Sequence, residues 1–536
     1  MYRVCQKAWL RVGLLLFVAG IAAGSEPQGF VVSSPAPAWS GAGDGEALEN
    51  LRFIGDLLRT GFDVYWISDV PIAISEVEVT GIRRGDFLVP LDQPDLPFLH
   101  TMFNSIPADR CIAVTGNFSF DVYQLRRTKV LLDAQPWTDN YNWYYDTLLA
   151  GQFEFEHVYD FAVTALDPER HNLFIAPGGG GRIPAAYNRM LRGYVAAGGN
   201  FIGSCWGAAQ ALYPSKVSYG SGNGAGLADA HNHEVVRSFG ALGGIGHVVL
   251  RNDAPEHPIM WDLPAEIHNV YWNGPVMRPG PHATGLASFA GVVADDFQFH
   301  SNDPAQRRLD VDEERGKLLY LTSRRPGEGS VTLFGDHPEA SDSINPFRAH
   351  PMGAKAVYNA VLYSTAGPRE RLVLRKPKGG SPGPSTRTAT LVEPDPESLA
   401  SIRQKGQALR ETVAKLMGDG DDRLTEDDPA GFFLLRADDA LEKIEQQSEG
   451  IKLLAIEDDP RSDALRQRLE TWITRTQTSV DRLQTTLSTL NPRRMNRRDA
   501  GWQPIVGPVF ERSLELTLLV RDLGYQGADA RDLRRD

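Results

Sequence analysis

The chain has 536 residues, a mass of 59.0 kDa and a formal charge of -13, from 55 Lys plus Arg against 68 Asp plus Glu. At roughly 100 to 200 residues per domain this length exceeds one compact domain, and 42% hydrophobic with 23% charged residues excludes wholesale disorder, a collagen-like fibre and a polytopic membrane protein. The acidic balance repels nucleic acid and anionic lipid, so no nucleic-acid partner is expected.

In chain order, Arg3, Lys7 and Arg11 precede the apolar run from Val12 to Ala23, and Ala22-Ala23-Gly24 offers small residues for cleavage. This is the pattern of a secretory signal peptide over residues 1–24. The run is shorter than the roughly 20 residues a spanning helix needs, so the membrane is a partner only if the segment stays uncleaved. The expected location is extracytoplasmic, periplasmic or secreted. Loss of the segment removes Cys5 and leaves Cys111 and Cys205, too few for a disulfide framework.

Residues 25–44, rich in Ser, Pro, Gly and Ala, predict a flexible leader. Leu48, Leu51, Ile54, Leu57 and Leu58 recur at helical spacing, and Phe62 to Ile67 reads as a buried strand. With strand-like runs at 74–79 and 87–90 they predict a small N-terminal α/β subdomain over 45–108. From Lys129 the pattern alternates: strands at 129–133, 160–164, 172–176 and 201–203, helices at 140–150 and 184–197. Such alternation predicts a flavodoxin-like three-layer sandwich with a mainly parallel sheet, over 109–366 and closed by a helix at 352–363. Short right-handed crossovers place the loops after each strand on one edge, where function is expected. A Pro/Gly/Ser-rich linker at 367–396 leads to helical spacing at 398–417, 437–447, 464–490 and 509–523, an α-helical C-terminal domain over 397–536.

The chemistry concentrates at three strand ends. Gly203-Ser204-Cys205-Trp206-Gly207 follows a short apolar strand, and a nucleophile on a strand-to-helix turn needs glycine on both sides to relieve a strained backbone. Well downstream comes Gly335-Asp336-His337-Pro338-Glu339, at the end of another strand-like run. Cys205 needs a base and the base needs a carboxylate, roles that His337 and Glu339 fill from the same side of an extended segment. The glycine run at 178–181 lets backbone N–H groups approach a developing oxyanion, with the amide of Trp206 as the other donor. Trp137, Trp143, Tyr144 and Tyr145 follow the first strand of this sheet, either as a wall of a ligand pocket or as core.

The order Pro-Gly-Gly, Gly-x-Cys-x-Gly, His-Pro-Glu resembles the class I glutamine amidotransferase-like superfamily. Tyr271-Trp272-Asn273-Gly274-Pro275 and the Gly-rich insertion look most similar to the N-terminal-like domain of biotin–protein ligases. The resemblance covers 129–365 and implies Cys205 as nucleophile, His337 as base, Glu339 as orienting acid, Gly178, Gly179 and Trp206 as oxyanion donors, and Asn273 and Gly274 as substrate-pocket residues. It implies a cysteine-triad hydrolase or amidotransferase-like enzyme acting on a small-molecule or peptide amide through a thioester. No cofactor or metal is expected: Asp229 to Glu234 reads as a polar loop rather than a metal site, and 417–428 as an acidic connection rather than a calcium loop. The alternative is a non-catalytic ligand- or partner-binding envelope protein that keeps the fold and docks a protein through its helical domain.

Overall fold

The computed structural model describes residues 27–34, 44–69, 72–73, 81–107, 110–115, 118–134, 141–158, 166–179, 184–214, 224–233, 244–299, 302–340, 351–374, 389–392, 395–419, 423–424, 429–449, 451, 453–456, 460–489 and 503–532. The segment 1–24, the strand expected at 74–79 and the linker core at 375–388 lie outside them.

A first, antiparallel sheet is built from β1 (Gly29–Val32), β2 (Tyr65–Ile67), β3 (Ile72–Ala73), β4 (Phe87–Pro90), β5 (Cys111–Val114), β6 (Phe118–Gln124) and a late strand Arg369–Val373. The late strand pairs β6, and β1 lies between β4 and β5. This corrects the reading of 25–44 as a flexible leader, because Val31 and Val32 are fully buried in a strand paired on both sides. It also extends the small subdomain beyond residue 108 and into the expected linker. The helix Asp44–Arg59 packs Phe53, Ile54 and Leu57 into the same core.

The second sheet holds β7 (Lys129–Asp133), β8 (Glu154–Val158), β9 (Leu173–Ala176), β10 (Asn200–Ser204), β11 (Ala230–Asn232), β12 (Gly244–Asn252), β13 (Glu266–Trp272), β14 (Met277–Pro279), β15 (Ala283–Phe299), β16 (Leu318–Ser323) and β17 (Val331–Phe334). Five strands run parallel in the order β8-β7-β9-β10-β17, the flavodoxin-like order 2-1-3-4-5. β9, β10 and β17 are buried along their whole length, as a sheet covered on both faces requires. Beyond β17 the sheet continues antiparallel through β16, β15, β12 and β13. The strand expected at 160–164 falls outside the described residues; the pairing strand is β8, where the sequence shows charged and apolar residues mixed. Helix Ala185–Ala196 covers one face through Tyr187, Leu191, Tyr194 and Val195, one stripe at helical spacing.

The helices Pro396–Met417, Pro429–Ser448, Pro460–Leu487 and Gln503–Asp532 form the C-terminal part, and it packs on the rest of the chain. The buried Arg59 guanidinium donates to Asp522 at 2.7 Å and to Asp56 at 2.6 Å. Arg521 and Tyr525 reach the same Asp56, and Arg468 reaches Asp522. Burial disfavours the charge on Arg59, but the two carboxylates outweigh it and raise its pKa. Asp522→Ala leaves Arg59 buried with only the shared Asp56, so denaturant unfolding should show a loss of about 3 kcal/mol or more, the penalty of a half-broken buried pair.

Candidate active site

Cys205 follows β10 and precedes the helix Trp206–Ala211, with φ 49° and ψ −112°. A non-glycine residue there carries strain of about 1–3 kcal/mol and must be held by its surroundings. Its N–H donates to Phe334 O of β17 at 2.8 Å, so the elbow is anchored to the strand that leads into His337. A Cβ on Gly207 would lie 2.0 Å from Ala176 O at the end of β9. The turn can therefore seat only against a glycine. The same contact brings Gly178 and Gly179, two and three positions past Ala176, to the edge that carries Cys205. Trp206 is the first residue of its helix, where a backbone N–H has no intrahelical acceptor.

The Cys205 thiol is buried to 7% exposure and donates to Trp272 O at 3.1 Å. Trp272 ends β13, and Asn273 turns the chain with φ 58°. Gly274 lies against the elbow: an added Cβ would lie 1.8 Å from Gly335 O and 3.2 Å from Cys205 Cα. Tyr271 Oη donates to Gly274 O at 2.6 Å and pins the turn.

His337 is held by its N–H on Val270 O at 2.8 Å, and its ring lies edge-on to Trp143 with centroids 5.1 Å apart. Nδ1 pairs with Glu339 Oε1 at 2.9 Å, both side chains fully buried. Nε2 has no hydrogen-bond partner among the described residues. Burial pushes the imidazolium down, but the Cys205 sulfur and the Glu339 carboxylate outweigh it and raise His337 to about 10. Cys205, His337 and Glu339 thus meet in one electrostatic unit.

A polar layer under this unit was not visible as such in the sequence. Tyr144 hydrogen-bonds Ser204 Oγ, and Asn269 Nδ2 donates to Tyr320 Oη and, at 3.2 Å, to Asp336 Oδ2. Of the four aromatics after β7, Trp143 and Tyr144 are buried here; Trp137 lies outside the described residues. Burial raises Asp336 to about 8, with the Glu339 charge adding to it. The one sequence signal for it was its place between Gly335 and His337.

The Asp336 shift makes stability pH-dependent. Asp336 binds its proton more tightly folded than unfolded, so its contribution to stability falls as pH rises between about 3.8 and about 8. Thermal unfolding of Asp336→Asn should accordingly fall less steeply from pH 4 to 8 than that of the wild type, while an equal slope would remove Asp336 as a cause.

Asp229 is committed to structure: Tyr213 Oη donates to Oδ1 at 3.1 Å and the His282 N–H to Oδ2 at 2.8 Å. Among the described residues no group of three or more His, Cys, Asp or Glu is placed to hold a metal ion. Cys205 is a free thiol.

No family model matches the chain, and no curated protein matches it. Solved structures that match part of it include a glutamine amidotransferase from Thermotoga maritima, at 12% identity and TM-score 0.26 over 40% of this chain and 78% of that one. A ThuA-like protein from Parabacteroides merdae matches at 15% identity and TM-score 0.29, over 48% and 94%. PurLQS from Thermotoga maritima matches at 14% identity and TM-score 0.28, over 44% and 99%. Likenesses this distant do not bear on reaction or substrate, and the flavodoxin-like assignment stands on the strand order itself.

Proposed function

We propose that the protein is an exported cysteine-dependent hydrolase or amidotransferase-like enzyme that cleaves an amide or related acyl bond of a small molecule or peptide. The observation that supports this most is Cys205 on a positive-φ elbow facing a buried His337–Glu339 pair.

In this reading the proton of the thiol passes to His337, whose protonated form is favoured at neutral pH. The sulfur attacks the carbonyl carbon, a C–S bond forms, and the carbonyl electrons move onto oxygen, which the amides of Gly179 and Trp206 hold. Collapse expels the amine, which takes the proton from His337 and leaves a thioester. Water then gives a proton to His337 and attacks the thioester, releasing the acid and restoring the thiol. Glu339 keeps the Nδ1 proton in place throughout. Trp272, whose backbone carbonyl accepts from the Cys205 thiol, is itself 38% exposed.

The test is the intact mass of the chain from Ser25 onward after brief exposure to p-nitrophenyl acetate. One acetyl group on Cys205, absent in Cys205→Ala, is the expected result; no adduct, or an adduct elsewhere that survives the substitution, contradicts it. Export is tested by the N-terminal mass of protein recovered outside the cytoplasm, expected to begin after Gly24.

A further inference from the structure

At the opposite edge of the parallel sheet, where β7 and β8 begin, a cavity of about 410 Å³ opens against the helices Pro460–Leu487 and Gln503–Asp532. Cys205 follows the other end of these parallel strands, so this cavity is separate from the candidate active site. Its volume suits a ligand of ordinary small-molecule size. Phe155, Trp472, Leu514 and Leu518 supply an apolar surface. The same lining carries five Lys or Arg (127, 129, 170, 468, 475) against three Glu (154, 156, 515), a positive wall in a chain of net charge -13.

The carboxylates of that wall are already engaged. Glu154 receives Arg127 through two nitrogens, at 2.5 and 2.6 Å. Glu156 is shared by Arg170 at 2.9 Å, His171 at 3.2 Å and Arg475 at 3.7 Å. The His171 hydrogen bond and these cations hold Glu156 down at about 2. Glu515 takes the other nitrogen of Arg475 at 3.2 Å. The Lys129 ammonium is left without an ion-pair partner among the described residues, in the lining of a partly apolar cavity.

We propose that this cavity binds a small amphipathic carboxylate, its anion on Lys129 and its apolar body between Phe155 of the α/β domain and Trp472 and Leu518 of the helical part. Because both parts of the chain line it, such a ligand strengthens their contact as well as occupying a site.

The test is calorimetric titration of the chain from Ser25 onward with 1-naphthylacetate and with its neutral isostere 1-naphthylacetamide. Saturable binding of the acid at least tenfold tighter than of the amide is expected. Lys129→Met should abolish that preference while amide binding persists, with Lys129→Gln in its place if the first variant does not fold. Leu518→Trp, which fills the cavity, should remove both ligands, and Cys205→Ala should change neither. Acid and amide binding equally, an acid affinity indifferent to Lys129→Met, or no saturable binding at millimolar concentration would each overturn the proposal. Displacement of the acid by an equal concentration of inorganic phosphate would also overturn it, since that marks a bare anion site.

Discussion

Gly274→Ala is expected to destabilise the folded chain by about 3 kcal/mol or more, or to prevent folding. The added methyl would sit 1.8 Å from Gly335 O and 3.2 Å from Cys205 Cα. Both obstacles are backbone, so no rotamer change relieves them. One belongs to the residue just before Asp336 and two before His337, and the other carries the nucleophile, so a chain that folds with the methyl in place must push the two apart. Gly193→Ala is the control: it lies inside helix Ala185–Ala196 with nothing within 4 Å of its Cβ position. That change should be neutral or stabilising by up to about 1 kcal/mol, from helix propensity alone. Guanidinium unfolding of both variants reads the difference.

Loss of the base should be the largest functional effect. On p-nitrophenyl acetate, Cys205→Ala and His337→Ala should each lower the hydrolysis rate by about a thousandfold or more, and the double variant should be no worse than the poorer single one, because the two act as a unit. Glu339→Gln keeps the shape and the reach to Nδ1 but removes a charge that raises His337. Its rate should fall by about a hundredfold or more, and the alkaline limb of its pH–rate profile should move to lower pH. Additive losses in the double variant, or an unmoved profile in Glu339→Gln, would separate these side chains into unrelated roles.

What the sequence revealed follows from the range of the physics involved. The elbow was legible because its requirement is local: glycine two positions before and two after Cys205, at the end of an apolar strand. His337 and Glu339 were legible as a pair from their spacing, but the segment expected to be extended is a turn, closed by the Ala340 N–H on His337 O at 3.1 Å, and it is this turn that brings Glu339 onto Nδ1. The helices of the C-terminal part were legible from periodicity, since Leu399, Ile402, Leu409 and Val413 share one buried stripe.

The first sheet was legible only in part: β2 and β4 fall in runs read as strands, but its assembly was hidden because other members meet through distant pairing. Arg369–Val373 joins β6 from beyond the whole second sheet, and β1 is a short apolar run in a Gly/Pro/Ser-rich surround, a pattern that local composition reads as coil. The Asp336–Asn269–Tyr320 layer was hidden for the same reason, each member coming from a different strand or turn. Gly274 was read as a pocket residue; its close approach to Gly335 O and to Cys205 Cα was not legible, because both contacts come from distant parts of the chain. The charged cavity was invisible because part of its wall comes from β7 and β8 and part from the last two helices of the chain.

Whether His337 makes Cys205 a reactive nucleophile is read from the rate of iodoacetamide alkylation at each cysteine, followed by peptide mass spectrometry at pH 6. At that pH an ordinary thiol, with a pKa of about 8.5, is almost wholly protonated and slow. Cys205 should react at least tenfold faster than Cys111 despite its deeper burial, and His337→Ala should erase that advantage. A Cys205 that reacts no faster than Cys111, or a rate unchanged in His337→Ala, would mean that His337 does not activate the thiol.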